Sequence, residues 1–244
     1  MEVITILWRE FIFFKRRWFQ ITSSAIVSPL LYLIAFGWGM GRNVVVEGHS
    51  YMHFIIPGII ALTTMNTSFN AVSVRVNISR LYEKSFEYYL TAPVKMSLLT
   101  LGQILAGGLR GMYASLLILL VSLPFGVHLN INLAFLATCL LSCLLFSGFG
   151  YFAAMIISSH YDMSRFTTFV ITPMTFLCGT FFSLERMPPL VQSLINILPL
   201  THASESLRSI ALGGSLRPLS FVVLASYLIF FYTMGVIASY REAE

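Results

Sequence analysis

Charged residues are scarce in this sequence. Asp, Glu, Lys and Arg make up 10% of the 244 residues, and 57% of the residues are hydrophobic. Soluble domains carry about 25% charged residues, because water contacts most of their surface. The composition therefore excludes an ordinary soluble globule and predicts that lipid surrounds most of the chain.

Motifs that bind nucleotides or support catalysis are also lacking. The sequence contains no G-x-x-x-x-G-K-[ST], H-E-x-x-H, G-x-S-x-G or C-x-x-C. Its three cysteines lie inside apolar runs and its five histidines are dispersed, so neither predicts a disulfide framework or a metal site. We therefore expect no catalytic residue, no metal site and no cofactor bound by this chain.

Basic residues outnumber acidic ones, and the formal net charge is +5. They lie between long apolar runs and do not form a patch on a soluble face. This distribution suits the anionic headgroups of membrane lipids and gives no reason to expect a nucleic acid partner.

Six apolar runs are each near the ~20 residues that a helix needs to cross ~30 Å of hydrocarbon. We therefore predict an all-α integral membrane protein with a single transmembrane domain over residues 1–244. The second run is the least apolar because it contains Asn66 and Asn70, which should face protein or a cavity. The predicted spans are about 19–40, 52–74, 98–122, 132–157, 166–184 and 219–239.

Lysine and arginine predict the orientation of the spans, because cytoplasmic loops are enriched in both. With a cytoplasmic N-terminus, ten of these residues fall in cytoplasmic segments and four in external ones, and Arg110 lies within a span. Both termini are therefore expected to be cytoplasmic.

Residues 1–18 are amphipathic. Ile4, Leu7 and Trp8 belong to one helical stripe, and Arg9 lies on the opposite face. The pattern predicts an interfacial helix, with a simple polar lead-in to the first span as the alternative.

The conspicuous polar interruption of the chain is EKSFEYYLTAPVKMS, residues 83–97. Apolar and charged residues alternate there at helical spacing, which predicts a short amphipathic helix at about 79–91. Pro93 limits this helix, because the residue before a proline disfavours the helical conformation. Such a helix either connects two spans at the interface or docks in a groove of a cytoplasmic partner. One face carries Tyr82, Phe86, Tyr89 and Leu90, and the other carries Glu83 and Glu87.

Arg110 is the charge that falls within a predicted span. Counted from Leu98, it lies about 18 Å along the helix, where a charge costs ~2.5–3.5 kcal/mol. It either lines a pathway or subunit interface, as Asn66 and Asn70 are also expected to do, or snorkels to the cytoplasmic headgroups.

Four short motifs, taken in order, resemble the type-2 ABC transporter permease family. This family contains polysaccharide, lipo-oligosaccharide and daunorubicin-type drug exporters. Each motif is weak alone, but their order and the six spans extend the resemblance over nearly the whole chain. The motifs are SYMHFIIPGII (50–60), YEKSFEYYLTAPV (82–94), ITPMTFLCGTFFSLERMPP (171–189) and INILPLTHASESLR (195–208).

The resemblance implies the transmembrane subunit of an ATP-driven exporter in the bacterial inner membrane. Two copies of a separate ATP-binding subunit would bind ATP and Mg²⁺, and a second permease copy or a homologue would complete the pathway. Residues 185–218 would form outer re-entrant helices before the last span. The helix at 79–91 would be the coupling helix, with the coupling residues Tyr82, Glu83, Phe86, Glu87, Tyr89, Leu90 and Pro93.

Two other function classes are alternatives. An integral-membrane lipid-modifying enzyme would need acidic or histidine clusters at a membrane face, whereas a self-sufficient secondary transporter would be favoured by carboxylates within its spans. The acidic residues are scattered, and none of the ten lies in a predicted span. The sequence does not indicate the substrate.

Overall fold

The computed structural model describes residues 2–40, 44–46, 48–86, 88–89, 94–127, 129–184 and 187–243. Most of these residues are helical, and five of the described helices are long and apolar enough to cross a bilayer. The protein is an all-α integral membrane protein, and the predicted fold class is confirmed.

The helices in the described ranges are numbered here in chain order. They are α1 (Glu2–Tyr32), α2 (Tyr51–Leu81), α3 (Met96–Ser122), α4 (Leu133–Ile156), α5 (His160–Phe166), α6 (Thr172–Leu177), α7 (Pro189–Ile195), α8 (Pro199–Ala211) and α9 (Pro218–Ala243). Shorter pieces are the π-helical turns Leu33–Met40 and Thr167–Ile171, the 3₁₀ turn Leu123–Phe125, and an antiparallel pair of two-residue strands, β1 (Val45–Val46) and β2 (His49–Ser50).

Helix α1 is kinked at Arg17, whose φ of −122° and ψ of 19° are not helical. Before the kink, Ile6 is buried while Trp8 and Phe11 are exposed, as an amphipathic helix requires. The kink lies next to the boundary between the predicted interfacial helix and the first predicted span. After it, the helix is mostly exposed, which suits contact with lipid.

Helix α2 is the centre of the bundle. Residues 54–65 of this helix are buried and mostly apolar, with Ile55, Ile59 and Met65 in the core. Helices α3, α4 and α8 pack around it, and α9 packs on α3, α4 and α8. Close approach is possible because small residues lie at the contacts: Gly107 of α3 faces Val72 of α2 and Ser147 of α4.

The fifth predicted span, residues 166–184, falls on a composite helix made of α5, the turns Thr167–Ile171 and α6. Pro173 lies in the first turn of α6 and has no N–H to donate, and the helix before it widens into π-helical turns. The helix ends at Leu177, before Gly179 adopts a φ of +68°. The other five predicted spans overlap helices of spanning length; a sixth membrane crossing stays a prediction.

Two short helices precede α9. Helix α7 begins at Pro189 and α8 at Pro199, since proline is favoured in a first helical turn. Helix α8 buries Leu200 and Leu207 against the bundle, whereas α7 leaves Leu190 exposed. That these helices are re-entrant in the outer leaflet stays a prediction.

Candidate translocation groove and coupling segment

A cluster of charges joins the N-terminal helix to two spans. Glu10 of α1 pairs with Arg110 of α3, with 2.9 Å between Oε2 and Nη2. It also pairs with Arg75 of α2, with 2.7 Å between Oε1 and Nε. The side chains of Glu10 and Arg110 are 11% and 15% exposed, and charges shielded to this extent are tolerated only when paired.

An aromatic ring lies against the same charges. The centroid of the Phe13 ring is 4.6 Å from the guanidinium carbon of Arg75, 5.4 Å from that of Arg110 and 5.2 Å from that of Arg17. All three distances are within the ~6 Å range of cation–π attraction. Phe13 follows Glu10 by three residues, so both occupy one face of α1.

The pair with Glu10 was not predicted for Arg110. The two predicted environments were a pathway or interface and the lipid headgroups. In the structure Arg110 is held inside the chain by an acidic residue of the N-terminal helix, and the same residue also lines three neighbouring cavities.

An open cavity of about 570 Å³ lies between α1, α2 and α6. Asn66, Asn70 and Arg110 all line it, so the structure brings the three candidate pathway residues together. The Asn70 amide donates to the carbonyl oxygen of Asn66 at 2.8 Å, and Asn70 is exposed. Hydroxyl groups provide much of the remaining lining: Ser24, Ser28, Thr63, Thr67, Thr172 and Thr175.

A second cavity, of about 540 Å³, adjoins the first and shares Asn70, Ala71 and Arg110 with it. It extends past the C-terminal turns of α2 to Glu83 and Phe86. The two cavities form one groove along α2, called here the polar groove. Its second cavity is strongly basic, with the lining residues Arg9, Arg17, Arg75 and Arg110.

The segment after α2 differs from the predicted helix at 79–91. Residues 79–81 are the last residues of α2, residues 82–86 form turns, and Lys84 has a φ of +51°. Tyr88 and Tyr89 are helical, whereas Glu87, Leu90 and Pro93 lie outside the described residues. This corrects the start of the predicted helix: residues 82–89 are called here the coupling segment.

The aromatic residues of the coupling segment point in two directions. Phe86 is 3% exposed, and its ring centroid lies 6.2 Å from that of Tyr89, whose hydroxyl accepts a hydrogen bond from Arg9. Tyr82 and Tyr88 are 67% and 76% exposed. The predicted docking face is therefore divided, because Phe86 and Tyr89 pack against this chain while Tyr82 points outward.

The comparison with known proteins decides the family. Residues 1–212 match the family described as ABC-2 type transporter, and this range contains the charge cluster, the polar groove and the coupling segment. The chain belongs to the ABC-2 type transporter family. It is a membrane permease subunit of an ABC transporter, and the family resemblance carried by the four motifs is confirmed.

Individual relatives agree with the family. The ABC-2 permease is 32% identical over 225 residues to the inner membrane transport permease YadH of Escherichia coli (strain K12), covering 90% of this chain and 87% of YadH. It is 28% identical over 206 residues to nodulation protein J of Rhizobium meliloti (strain 1021), covering 82% of this chain and 78% of that protein.

In this ABC-2 permease, Arg80 connects the end of α2 to α4 and α9. Its Nη1 donates to the carbonyl oxygens of Ala154 and Met155 at 2.6 and 2.7 Å, at the end of α4. Its Nε pairs with Glu242 of α9 at 2.8 Å. The last carbonyls of a helix have no partner within the helix, so the guanidinium of Arg80 satisfies them and holds the last turn of α2 in place.

At the other end of α2, Arg208 of α8 is 7% exposed. Its Nε donates to the carbonyl oxygen of Phe54 at 3.1 Å, and its Nη2 donates to that of Gly179 at 2.7 Å. Its guanidinium carbon lies 3.6 Å from the centroid of the Phe54 ring. These contacts hold α8 of the permease over the start of α2 and the end of α6.

Sequence reasoning did not assign contacts to Glu10, Arg80 or Arg208. A signal for Glu10 existed: it is an acidic residue on a basic helix, and Arg110 is a cation within an apolar span that needs a counter-charge. Arg80 and Arg208 donate mainly to backbone carbonyls, which every residue possesses, so the sequence carries no signal for their partners.

Proposed function

We propose that this permease forms half of the translocation pathway of an ATP-driven exporter in the bacterial inner membrane, with both termini in the cytoplasm. The polar groove is the observation that supports this most directly. Exposure of amide, hydroxyl and guanidinium groups to hydrocarbon would raise the free energy of the folded protein, so this side of the bundle needs a protein surface against it. A second copy of the chain, or a homologous permease, provides it. The name of YadH, an inner membrane transport permease, supports the location.

The ATP-binding subunits dock at the coupling segment in this proposal. Two copies of a separate subunit bind ATP and Mg²⁺, and each contacts the exposed rings of Tyr82 and Tyr88 on one permease. Movement of the segment reaches α1 through the bond between Arg9 and Tyr89, and it reaches α2 and α3 through the pairs of Glu10. The two conformations then differ in their affinity for the substrate, which is the basis of transport.

Cysteine cross-linking tests whether the groove faces a second copy. The native cysteines are buried, so an introduced surface cysteine reacts selectively. Ser28→Cys, at the exposed edge of the groove, is expected to form a disulfide-linked dimer in membranes under mild oxidation. Val222→Cys, which is 60% exposed on α9, is the control and should remain monomeric. Dimers of the control but not of Ser28→Cys would contradict the proposed arrangement.

Co-expression tests the coupling. The permease is expected to co-purify with a co-expressed ABC ATP-binding subunit from the same organism, and to alter the ATPase activity of that subunit after reconstitution. Substrate movement by the permease alone, with no ATPase present, would refute the proposed function.

A further inference from the structure

The basic part of the polar groove carries more positive than negative charge. Three arginines share the carboxylate of Glu10: Arg75 at 2.7 Å, Arg110 at 2.9 Å and Arg9 at 3.6 Å. Arg17 lines the same cavity, and no carboxylate of the described residues lies within ion-pair distance of it. One carboxylate neutralises one guanidinium, so an excess of positive charge is left in a partly buried place.

The acidic residue among the described lining residues of this cavity, Glu83, does not remove the excess of positive charge. Glu83 lies at the end near the coupling segment, is exposed to solvent, and accepts a hydrogen bond from the hydroxyl of Ser85 at 3.3 Å. Like charges repel more strongly where water is partly excluded. Among the described residues Glu10 alone pairs with these arginines, so a net positive charge remains, and guanidinium groups bind phosphate, sulfate and carboxylate in a bidentate manner.

The rest of the groove has a different chemistry. Beyond Arg110 the described lining residues of the first cavity carry no charge, and amide and hydroxyl groups alternate there with apolar side chains such as Leu62 and Phe176. On the other side of the pair between Glu10 and Arg110, a cavity of about 220 Å³ lies between α1 and α3. Its lining is mostly apolar and includes Leu7, Phe11 and Leu109, so it can accept a hydrocarbon chain.

We propose that the polar groove binds an anionic amphiphile. Its phosphate, sulfate or carboxylate group lies among Arg17, Arg75 and Arg110, which we call the anion pocket. Its uncharged polar part follows α2, and its hydrocarbon part lies against α1 and α3. This proposal rests on the proposed function, because it names the substrate class of the same groove. The volumes of the two polar cavities are within the ~300–1,000 Å³ usual for small-molecule sites.

A binding assay with two matched lipids tests the proposal on the unaltered protein. The full-length permease is placed in phosphatidylcholine nanodiscs and titrated with fluorescent phosphatidic acid or with diacylglycerol of the same chains and label. Phosphatidic acid is expected to bind about tenfold more tightly than diacylglycerol, because its charged phosphate can accept hydrogen bonds from the arginines. Equal binding of the two lipids would overturn the proposal.

Inorganic phosphate distinguishes an amphiphile from a free anion. If the hydrocarbon part contributes, low millimolar phosphate leaves the fluorescent phosphatidic acid bound. Complete displacement at that concentration would assign the anion pocket to a free anion and overturn the proposed amphiphile.

Two substitutions that change the charge of the groove in opposite directions test where the lipid binds. Arg75→Gln removes a guanidinium and is expected to weaken phosphatidic acid binding about tenfold. Glu10→Gln removes the competing carboxylate and is expected to strengthen it. Arg165→Gln changes an exposed arginine paired with Asp162 on α5, outside the groove, and serves as the control. Thermal unfolding of each variant checks its fold. A folded Arg75→Gln variant that binds phosphatidic acid as tightly as the unaltered protein would overturn the proposal, and so would a folded Glu10→Gln variant with weaker or unchanged binding.

The assay separates this inference from the proposed function, since lipid binding needs no ATP-binding subunit. Selective binding without any coupling to an ATPase would retain the anion pocket and refute the exporter. Coupling without selectivity for phosphatidic acid would retain the exporter and refute the anion pocket.

Discussion

Glu10 and Arg110 lie 100 residues apart in the sequence, and their side chains form an ion pair of 2.9 Å. The pair connects the amphipathic N-terminal helix to the middle of a span. It supplies a counter-charge for a cation that hydrocarbon alone cannot accommodate. The position of the N-terminal helix is therefore coupled to the packing of the bundle.

We expect Arg110→Ala to lower the free energy of unfolding by about 1–3 kcal/mol, between the values for exposed and for fully buried pairs. Glu10→Ala should cost less in the Arg110→Ala background than in the unaltered protein, because the two residues interact. Chemical unfolding of the purified permease in detergent measures both effects. Strict additivity would show that the pair contributes no interaction energy.

Removal of the Arg80 side chain should loosen the ends of α2, α4 and α9. Arg80→Ala leaves the carbonyl groups of Ala154 and Met155 without these donors, which we expect to cost about 1–3 kcal/mol. Hydrogen exchange should rise at the C-terminal turn of α4. Arg241→Ala, at an exposed position of α9, is the matched control, and a similar rise in that variant would contradict the assigned role.

Gly150 of α4 is predicted to tolerate no side chain. A Cβ atom at this position would lie 2.6 Å from the carbonyl oxygen of Phe69 in α2, so α2 and α4 would have to separate. Gly150→Ala should destabilise the permease by about 1–3 kcal/mol. Gly148→Ala is the control, because its nearest neighbour is the flexible end of Ile104 at 3.4 Å. Equal unfolding temperatures of the two variants would be inconsistent with this packing.

Because the aromatic residues of the coupling segment point in two directions, substitutions of Tyr88 and Phe86 should have different effects. Tyr88→Ala, at a position that is 76% exposed, should reduce co-purification of the ATP-binding subunit and leave the unfolding temperature nearly unchanged. Phe86→Ala should lower the unfolding temperature, because this ring is 3% exposed and its loss from a core costs about 3–5 kcal/mol.

The opposite result would reassign these residues. If Phe86→Ala abolished co-purification in a fully stable protein, the ring would contact the partner directly and the segment would have to open on docking.

The sequence alone determined the class of the protein and its family. A chain with few charges and long apolar runs can lower its free energy only in lipid, and that conclusion needs no coordinates. The spacing of apolar residues before Arg17 similarly indicated an amphipathic helix, because helical periodicity is a local property.

Only the tertiary structure decided which side chains meet. The pairing of Glu10 with Arg75 and Arg110, and the inward position of Phe86, depend on contacts between helices that are distant in the sequence. The local sequence pattern predicts a helix and which of its faces is apolar. Which other helix contacts that face depends on the packing of the whole bundle, because side chains must fit in shape and pair in charge at the same time.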